Sequence, residues 1–435
     1  MQTFSDRDSA VEPMHDWMRA LFPICRSLTG EGTRTTLAFI KELVPELEIR
    51  AVPSGTRAFD WVVPDEWNIR DAYIADLDGR RIVDFKQSNL HVVGYSIPID
   101  AVMSRAELDP HLHSLPEQPD AIPYITSYYQ RRWGFCLSEQ QRRELGPGPF
   151  RVVIDSSLEP GVLNYGEVRL PGSSASEVLL STYVCHPSMA NNELSGPVVA
   201  VALARWLKAL PSRRLSYRVL FVPETIGALV YLSRHLAELK TSTVAGFVLT
   251  CLGDDRAWSL VPSRRGGTLA DRVAQHVLKH RIGEYMAYSF LDRGSDERQY
   301  CAPGIDLPVV SIMRSKYGTY PEYHTSLDDL SFVTQNALAA SFEVLRECLE
   351  VLESNAVYRT STLGEPQLSP RGLYPSLSTH STRAQVVRMM NILAYADGSL
   401  DLLGIAETIG APAKDVAEIA ARLSAAGVLD RIVRD

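Results

Sequence analysis

A chain of 435 residues, 45% hydrophobic and 22% charged, has the profile of a soluble globular protein with a core of good size and two or three domains. A net charge of −8 argues against a protein devoted to nucleic acid. No basic start leads into an apolar segment, and no apolar run approaches the ~20 residues that span a bilayer, so neither a signal peptide nor a membrane contact is expected. Cys25, Cys136, Cys185, Cys251, Cys301 and Cys348 are scattered without a CxxC pair, which suits reduced thiols in a cytoplasmic protein.

In chain order, residues 1–48 read as helical, with amphipathic spacing at 14–24 and 35–44. The polar loop 25–34 between them is either a helix connection with Thr33 or Thr35 as cap, or a loop lining a pocket. From 50 to 150, short β-like runs alternate with turn residues, including a hairpin signal at Asp78-Gly79. His111 and His113 form an HxH pair, and neighbouring prolines suggest a surface loop with solvated histidines. From 160 to 350 the pattern is α/β. Strands are expected at 177–184, 215–222, 244–252 and 307–313, with helices at 197–210, 226–239, 267–279 and 335–352. That alternation implies a mostly parallel sheet covered on both faces.

Residues 354–380 are rich in Ser, Thr, Pro, Gly and Leu and read as a linker or an extended wrap. The last 55 residues carry helical patterns at 382–395, 402–409 and 415–425 and a short β-like exit, the spacing of a winged helix. The third of these helices is poor in base-reading side chains. A protein partner or self-association is therefore expected there rather than DNA.

The chemistry-bearing residues fall at strand ends. The apolar run from Leu179 ends at His186, and Asn191, Asn192 and Glu193 follow before Ser195-Gly196 opens a helix. In open α/β sheets, sites lie at the carboxyl ends of strands. Glu224 follows a second strand and is placed by Pro223. Partial burial would raise its pKa and suit a general base; the alternative is a helix-start glutamate favoured by the macrodipole. His324 lies in Tyr323-His-Thr-Ser-Leu-Asp328, where Asp328 could accept from the imidazole. Two histidines, a carboxylate and a base at one sheet edge suit metal-assisted hydrolysis.

These motifs resemble, in the same order, those of the M28-type zinc aminopeptidases. Asn192-Glu-Leu-Ser-Gly196 resembles the Asp-Asn-Ala-Ser-Gly segment with its bridging aspartate. Glu224-Thr-Ile-Gly227 resembles Glu-Glu-x-Gly, with its base and ligand glutamates. Ser295-Asp296, followed by Gly304-Ile-Asp-Leu-Pro, resembles the Ser-Asp-His…Gly-Ile-Pro region, and Tyr323-His-Thr-Ser-Leu-Asp328 resembles Tyr-His-Thr-x-x-Asp. Over nearly its full length the chain resembles bacterial aminopeptidase-like domain proteins. The resemblance implies an α/β fold: a zinc-aminopeptidase-like mixed sheet flanked by helices (1–50 and 155–353), an inserted β-rich domain (51–154), a linker (354–380) and a winged helix (381–435).

Asn192, Thr225 and Thr250 or Cys251 stand where the family has anionic ligands, so two zinc ions are not expected. The resemblance then implies one zinc on His186, Glu193 and His324, with Asp296 or Asp254 as substitutes. Glu224 and Asp296 are the expected catalytic carboxyls. Arg293, Arg298, Arg314, Lys316, Tyr317 and Tyr320 surround the later motifs and could bind an anionic group. The implied activity is hydrolysis of a peptide or an amide-bearing small substrate, including an amide on a sugar, because the group is associated by name with polysaccharide biosynthesis. The alternative is a non-catalytic binding protein that acts through its inserted and winged-helix domains.

Overall fold

Seven consecutive residues, Glu177–Tyr183, form a strand with every side chain buried. A strand buried on both faces must lie inside a sheet with covering layers above and below. It runs parallel to Ser216–Val222 on one side and Thr243–Val248 on the other, and Thr243–Val248 runs parallel to Val309–Met313. The sheet has eight strands in the order Glu48–Pro53, Val162–Leu170, Ser216–Val222, Glu177–Tyr183, Thr243–Val248, Val309–Met313, Ser259–Val261, Met286–Ala287. Antiparallel pairing joins the first three strands and joins Ser259–Val261 to Val309–Met313. The sheet is thus mixed, with parallel pairing concentrated at its centre. Ser259–Val261 and Met286–Ala287 are too short for their alternation to show in the sequence.

The computed structural model describes residues 5–373 and 380–432. Residues 1–4 of the first helical segment, 374–379 of the expected linker and 433–435 of the winged helix lie outside them. No described helix is long and apolar enough to cross a membrane.

The chain divides into two compact units, one of residues 1–271 and 286–342, the other of 272–285 and 343–435. The first holds the eight-stranded sheet and a separate four-stranded antiparallel sheet. That second sheet runs Arg81–Asp84, Glu66–Ala75, Phe150–Glu159, Ile99–Met103. His111 and His113 belong to this region and are not freely solvated. The His111 ring stacks on Trp133 at 3.7 Å, and His113 lies in a short strand paired with Phe135–Cys136.

The helix Ser195–Ala209 crosses the strand that carries His186 at close range. A Cβ on Gly196 would lie 2.2 Å from the Leu249 carbonyl oxygen and 2.4 Å from Thr182 Oγ1. Gly196→Ala is therefore expected to cost about 1–3 kcal/mol or more, read from urea unfolding. A change within about 0.5 kcal/mol would show that the helix can draw back at no cost.

The second unit has a three-stranded sheet in the order Asp397–Asp401, Val357–Thr360, Leu429–Ile432. It also has the helices His380–Tyr395, Leu402–Ile409 and Ala413–Ala425. Val357–Thr360 lies in the stretch that composition marks as linker, yet it is the central strand, paired with both neighbours. The helix Ala413–Ala425 begins with the Ala413 amide donating to His276 Nε2 at 2.9 Å. Burial, then the His280, Lys279 and Arg272 charges, hold the His276 pKa down to about 4.

A depressed histidine pKa means the folded unit binds fewer protons than the unfolded chain. The His276 contribution to stability is complete above the ordinary value of 6.5 and lost as pH falls through about 4. Acidification across that window should speed hydrogen exchange of the Ala413 amide beyond its intrinsic pH dependence. His276→Gln, which cannot titrate, should remove most of that acceleration; an unchanged acceleration would show that other groups govern it.

Candidate functional site

The carboxyl ends of the central parallel strands bring three loops together. His186 stands three residues beyond Tyr183 and is 2% exposed. The loop continues through a π-helical turn, Ala190–Leu194, directly into the helix Ser195–Ala209. Irregular turns of this kind concentrate at functional sites. Here the turn carries the buried Asn191, Asn192 and Glu193 back under His186.

Glu193 Oε2 lies 2.7 Å from His186 Nδ1, and Glu224 Oε2 lies 3.5 Å from His186 Nε2. The two carboxylates therefore address opposite edges of one imidazole. Behind Glu193 sits Arg26, whose side chain is fully buried. Its Nε is 3.4 Å from Glu193 Oε1, and it donates to the carbonyls of Leu21, His186 and Pro187. Arg26 thus ties the backbone at His186 and Pro187 to the end of the helix Ser5–Leu21. Burial works against a charged His186, but the Cys185 and Glu193 groups more than offset it and raise its pKa well above the usual value. Cys185 accepts the Glu224 amide at 3.2 Å, and burial pushes its thiol up to about 11.

Glu224 keeps 21% of its side chain exposed. Burial raises its pKa, against the opposing charges of His186 and Arg298. Asp296 is brought beside it. Burial, then the Glu224 charge, raise the Asp296 pKa well above the carboxylate range. Asp296 Oδ1 accepts the Thr225 amide at 2.7 Å, while Oδ2 is buried without a partner. Thr225 has a φ of 64°, and its Oγ1 accepts from Arg298 at 2.6 Å.

His324 completes the cluster. Its ring stacks on Tyr323 at 3.9 Å and lies 5.5 Å from the His186 ring centroid. Burial and the His186 charge hold its pKa down to about 3. The residues Tyr128, Thr225, Cys251 and His324 all have positive φ. Backbone strain of this kind persists where the surrounding structure enforces it.

The β-rich region reaches into the site. The Tyr124 amide donates to the His324 carbonyl at 2.8 Å, and the Ser326 amide to the Ile122 carbonyl at 2.8 Å. The Tyr124 ring stands edge-on to both His186 and His324, and its hydroxyl is 3.2 Å from that of Tyr128. Neither tyrosine was expected at the site. The only hint in the sequence is the aromatic spacing Tyr124, Tyr128, Tyr129 in a β-like segment.

Several expectations are corrected. Glu193 is not arranged with His186 and His324 around one point, because it bonds to Nδ1, on the ring edge away from Glu224. Among the described residues, the group of three whose donor atoms lie within 4.8 Å of one another is Cys185, His186 and Glu193. Within it, Nδ1 and Oε2 already satisfy each other. Asp328 does not hold His324; its carboxylate accepts the Asn191 and Asn192 amides at 2.6 and 2.9 Å. Asp254 is no substitute ligand, because it accepts from Asn191 Nδ2, the Arg256 amide, and the amide and hydroxyl of Ser315.

Of the expected substrate-binding residues, Arg298 alone bonds to the Glu224 loop. Arg293 is exposed and folds back on Phe290. Arg314 lies over Trp258, 3.8 Å from Asp255. Tyr320 is buried, reaches Cys251 Sγ at 3.6 Å and packs on Tyr323. Lys316 lies over the Tyr317 ring, and the Tyr317 hydroxyl donates to Glu297.

A zinc ion needs anionic or imidazole donors around an open position. The Asn192 amide oxygen accepts from Tyr183, whose hydroxyl is 2.5 Å from Thr250, and Thr250 donates to the Asn192 carbonyl. These side chains are neutral and satisfy one another, leaving Asn192 Nδ2 as a buried orphan. With Thr225 also neutral, the donors do not fit a pair of dications. What remains for a single ion is the imidazole of His324 and, 5.5 Å from it between ring centroids, that of His186. Its Nδ1 is held by a carboxylate, as metal-binding histidines are, and His324 is kept neutral nearby.

This fold is that of the zinc aminopeptidases. The structure of BSAP, a zinc aminopeptidase from Bacillus subtilis, matches with a TM-score of 0.55 and 13% identity over 79% of this chain and 94% of that one. The Peptidase M28 precursor from Shewanella amazonensis gives 0.55 and 12% over 83% and 98%. At these identities the likeness concerns the fold alone. The chain belongs to the family described as "Domain of unknown function (DUF4910)", whose model matches residues 15–355; a winged helix-turn-helix model matches 356–431. A Clostridium acetobutylicum relative, "Putative polysaccharide biosynthesis protein with aminopeptidase-like domain", is 43% identical over 399 residues, 91% of each chain. A crystal structure of a "putative peptidase" from Clostridium acetobutylicum matches with a TM-score of 0.93 and 40% identity, covering 98% of both.

Proposed function

We propose that this protein is a peptidase-type amide hydrolase with one zinc ion held by His186 and His324. The observation that carries the reading is the line Arg26–Glu193–His186–Glu224, which presents one imidazole edge and one half-buried carboxylate to the same cleft. When bound, the zinc supplies a Lewis acid for the amide carbonyl and a water of lowered pKa. Glu224 accepts the proton of the attacking water and returns it to the leaving amine. Its raised pKa suits both transfers. Arg298 stands beside Glu224 and can grip an anionic group on the substrate. The substrate is a peptide or an amide-bearing small molecule. The name of the 43%-identical relative favours an amide carried on a saccharide. The helix Ala413–Ala425 offers only Lys414 and Arg422 as cations, which favours a protein partner or self-association over DNA for the winged helix.

The neutral Asn192, Thr225 and Thr250 favour a second reading, a binding protein without catalysis. Zinc analysis of chain purified without chelator, paired with assays of amine release from peptide and acylated-sugar amides, separates the two. The hydrolase reading expects up to one zinc per chain, less zinc in His186→Ala, and steady amine release. Metal-free protein whose thermal midpoint ignores added zinc, and which releases no amine, supports the binder.

A further inference from the structure

Two phenols from the β-rich region stand beside the histidines of the site. The Tyr124 ring lies 5.3 Å from the His186 ring at 65° and 5.2 Å from the His324 ring at 87°, and the two imidazoles are 5.5 Å apart. The three rings form a nearly equilateral triangle, with Glu224 Oε2 3.5 Å from Nε2 at its His186 corner. The Tyr124 and Tyr128 hydroxyls are 3.2 Å apart, and among the described residues neither has another hydrogen-bond partner. Two phenols carry two protons, and the bond between them uses one. The second proton has no acceptor in the chain. Both residues are half-buried rather than sealed in the core.

The charges of the site point the same way. A substrate with a free α-amine brings an ammonium next to the scissile carbonyl, and that ammonium needs an anion within reach. The carboxylates here are engaged. Glu193 is fully buried between His186 and Arg26. Asp328 accepts the Asn191 and Asn192 amides, and Glu297 accepts the Gly294 and Ser295 amides and the Tyr317 hydroxyl. Asp296 is fully buried, and burial raises its pKa, so its unpartnered Oδ2 belongs to an acid rather than a counter-charge. Of these carboxyl groups and Glu224, that leaves Glu224 alone, and an ammonium paired with it would occupy the base. Two further donors, Asn192 Nδ2 and Arg298 Nε, are buried without an acceptor. Spare donors select a substrate that brings an acceptor, because a ligand lacking one leaves them unpaired.

We propose that the Tyr124–Tyr128 pair sets specificity: it donates to an oxygen on the carbonyl side of the scissile amide, and the site takes N-acylated or otherwise amine-free substrates rather than free amino termini. The proposal deepens the hydrolase reading and rests on it for the role of Glu224 in turnover. It is tested first by binding, on the full chain. The probes are leucine amide and N-acetylleucine amide, which differ in having an ammonium or an acetamido oxygen. Calorimetry reads affinity, and NMR follows any cleavage of the probes.

N-acetylleucine amide is expected to bind about tenfold more tightly than leucine amide. Tyr124→Phe and Tyr128→Phe each leave one hydroxyl, so each should keep part of that preference. The double variant keeps both rings and has no donor. It should weaken the acetylated probe by about three- to tenfold and leave leucine amide within about twofold. A merely structural role would move both probes together. Leucine amide binding as tightly or more tightly overturns the proposal. So does a chain that binds neither probe, or a double variant that weakens both alike or neither. Faster cleavage of leucine amide than of the acetylated probe also overturns it, while sustaining the hydrolase reading. Preference for the acetylated probe that the double variant loses, in a chain that releases no amine in the assays above, sustains the phenol pair and overturns the hydrolase reading alone.

Discussion

Glu224→Gln should lower the rate of amide release by roughly 10²–10⁴-fold while leaving the chain folded and its zinc content unchanged. Glutamine fills the same space but cannot take a proton from water or return one to an amine. The substitution should also leave the thermal midpoint at neutral pH equal or higher. Burial raises the Glu224 pKa above its ordinary 4.5. A carboxyl group shifted in that direction contributes stability that is complete below its ordinary value and lost as pH rises through the folded value. At neutral pH its ionised form is therefore a cost that glutamine removes. A rate within about threefold of the original would take Glu224 out of the reaction.

The second large effect is structural. Arg26→Ala should destabilise the chain by about 3–5 kcal/mol, because it leaves the buried Glu193 carboxylate with His186 alone as its partner. It also frees three carbonyls that the guanidinium now bonds, those of Leu21, His186 and Pro187. Urea unfolding of Arg26→Ala, Glu193→Gln and the double variant measures the coupling. The double variant should recover part of the loss, since an amide at 193 no longer needs a counter-charge. Strict additivity would mean that Arg26 acts on the loop carbonyls alone. Arg26→Lys should fall between, keeping the charge but losing the fork that spans Leu21 and the His186 loop.

The candidate site was legible where a residue's place follows from its own strand. His186 and Glu224 each end an apolar run and meet a helix start, so the sequence puts them at the same sheet edge as soon as the strands are parallel. His324 was visible through its motif. Arg26 was not, because it lies 160 residues from the carbonyl it bonds, and an arginine in a polar loop looks solvated until the loop is buried. Tyr124 and Tyr128 were hidden for a similar reason. Their β-like segment pairs with residues 324–326, a contact that no local pattern encodes. Glu193 was recognised as important, but its bond to His186 Nδ1 was not legible. Spacing shows that a carboxylate is near an imidazole, but not which ring nitrogen it meets.

By itself, the sequence determined the α/β framework, the strand that delivers His186, the half-buried Glu224 and the loss of acidic groups at Asn192 and Thr225. These follow from hydrophobic periodicity and residue chemistry, which are local. The tertiary structure decided that Val357–Thr360 is a central strand rather than linker, since pairing with Asp397–Asp401 and Leu429–Ile432 is what makes it one. It also decided that Glu193 steadies His186 from behind, that Arg26 neutralises it, and that tyrosines from the β-rich region wall the cleft. Each depends on which distant groups share a buried volume, where an unpaired charge is too costly to leave. That condition acts only once the chain has closed around it.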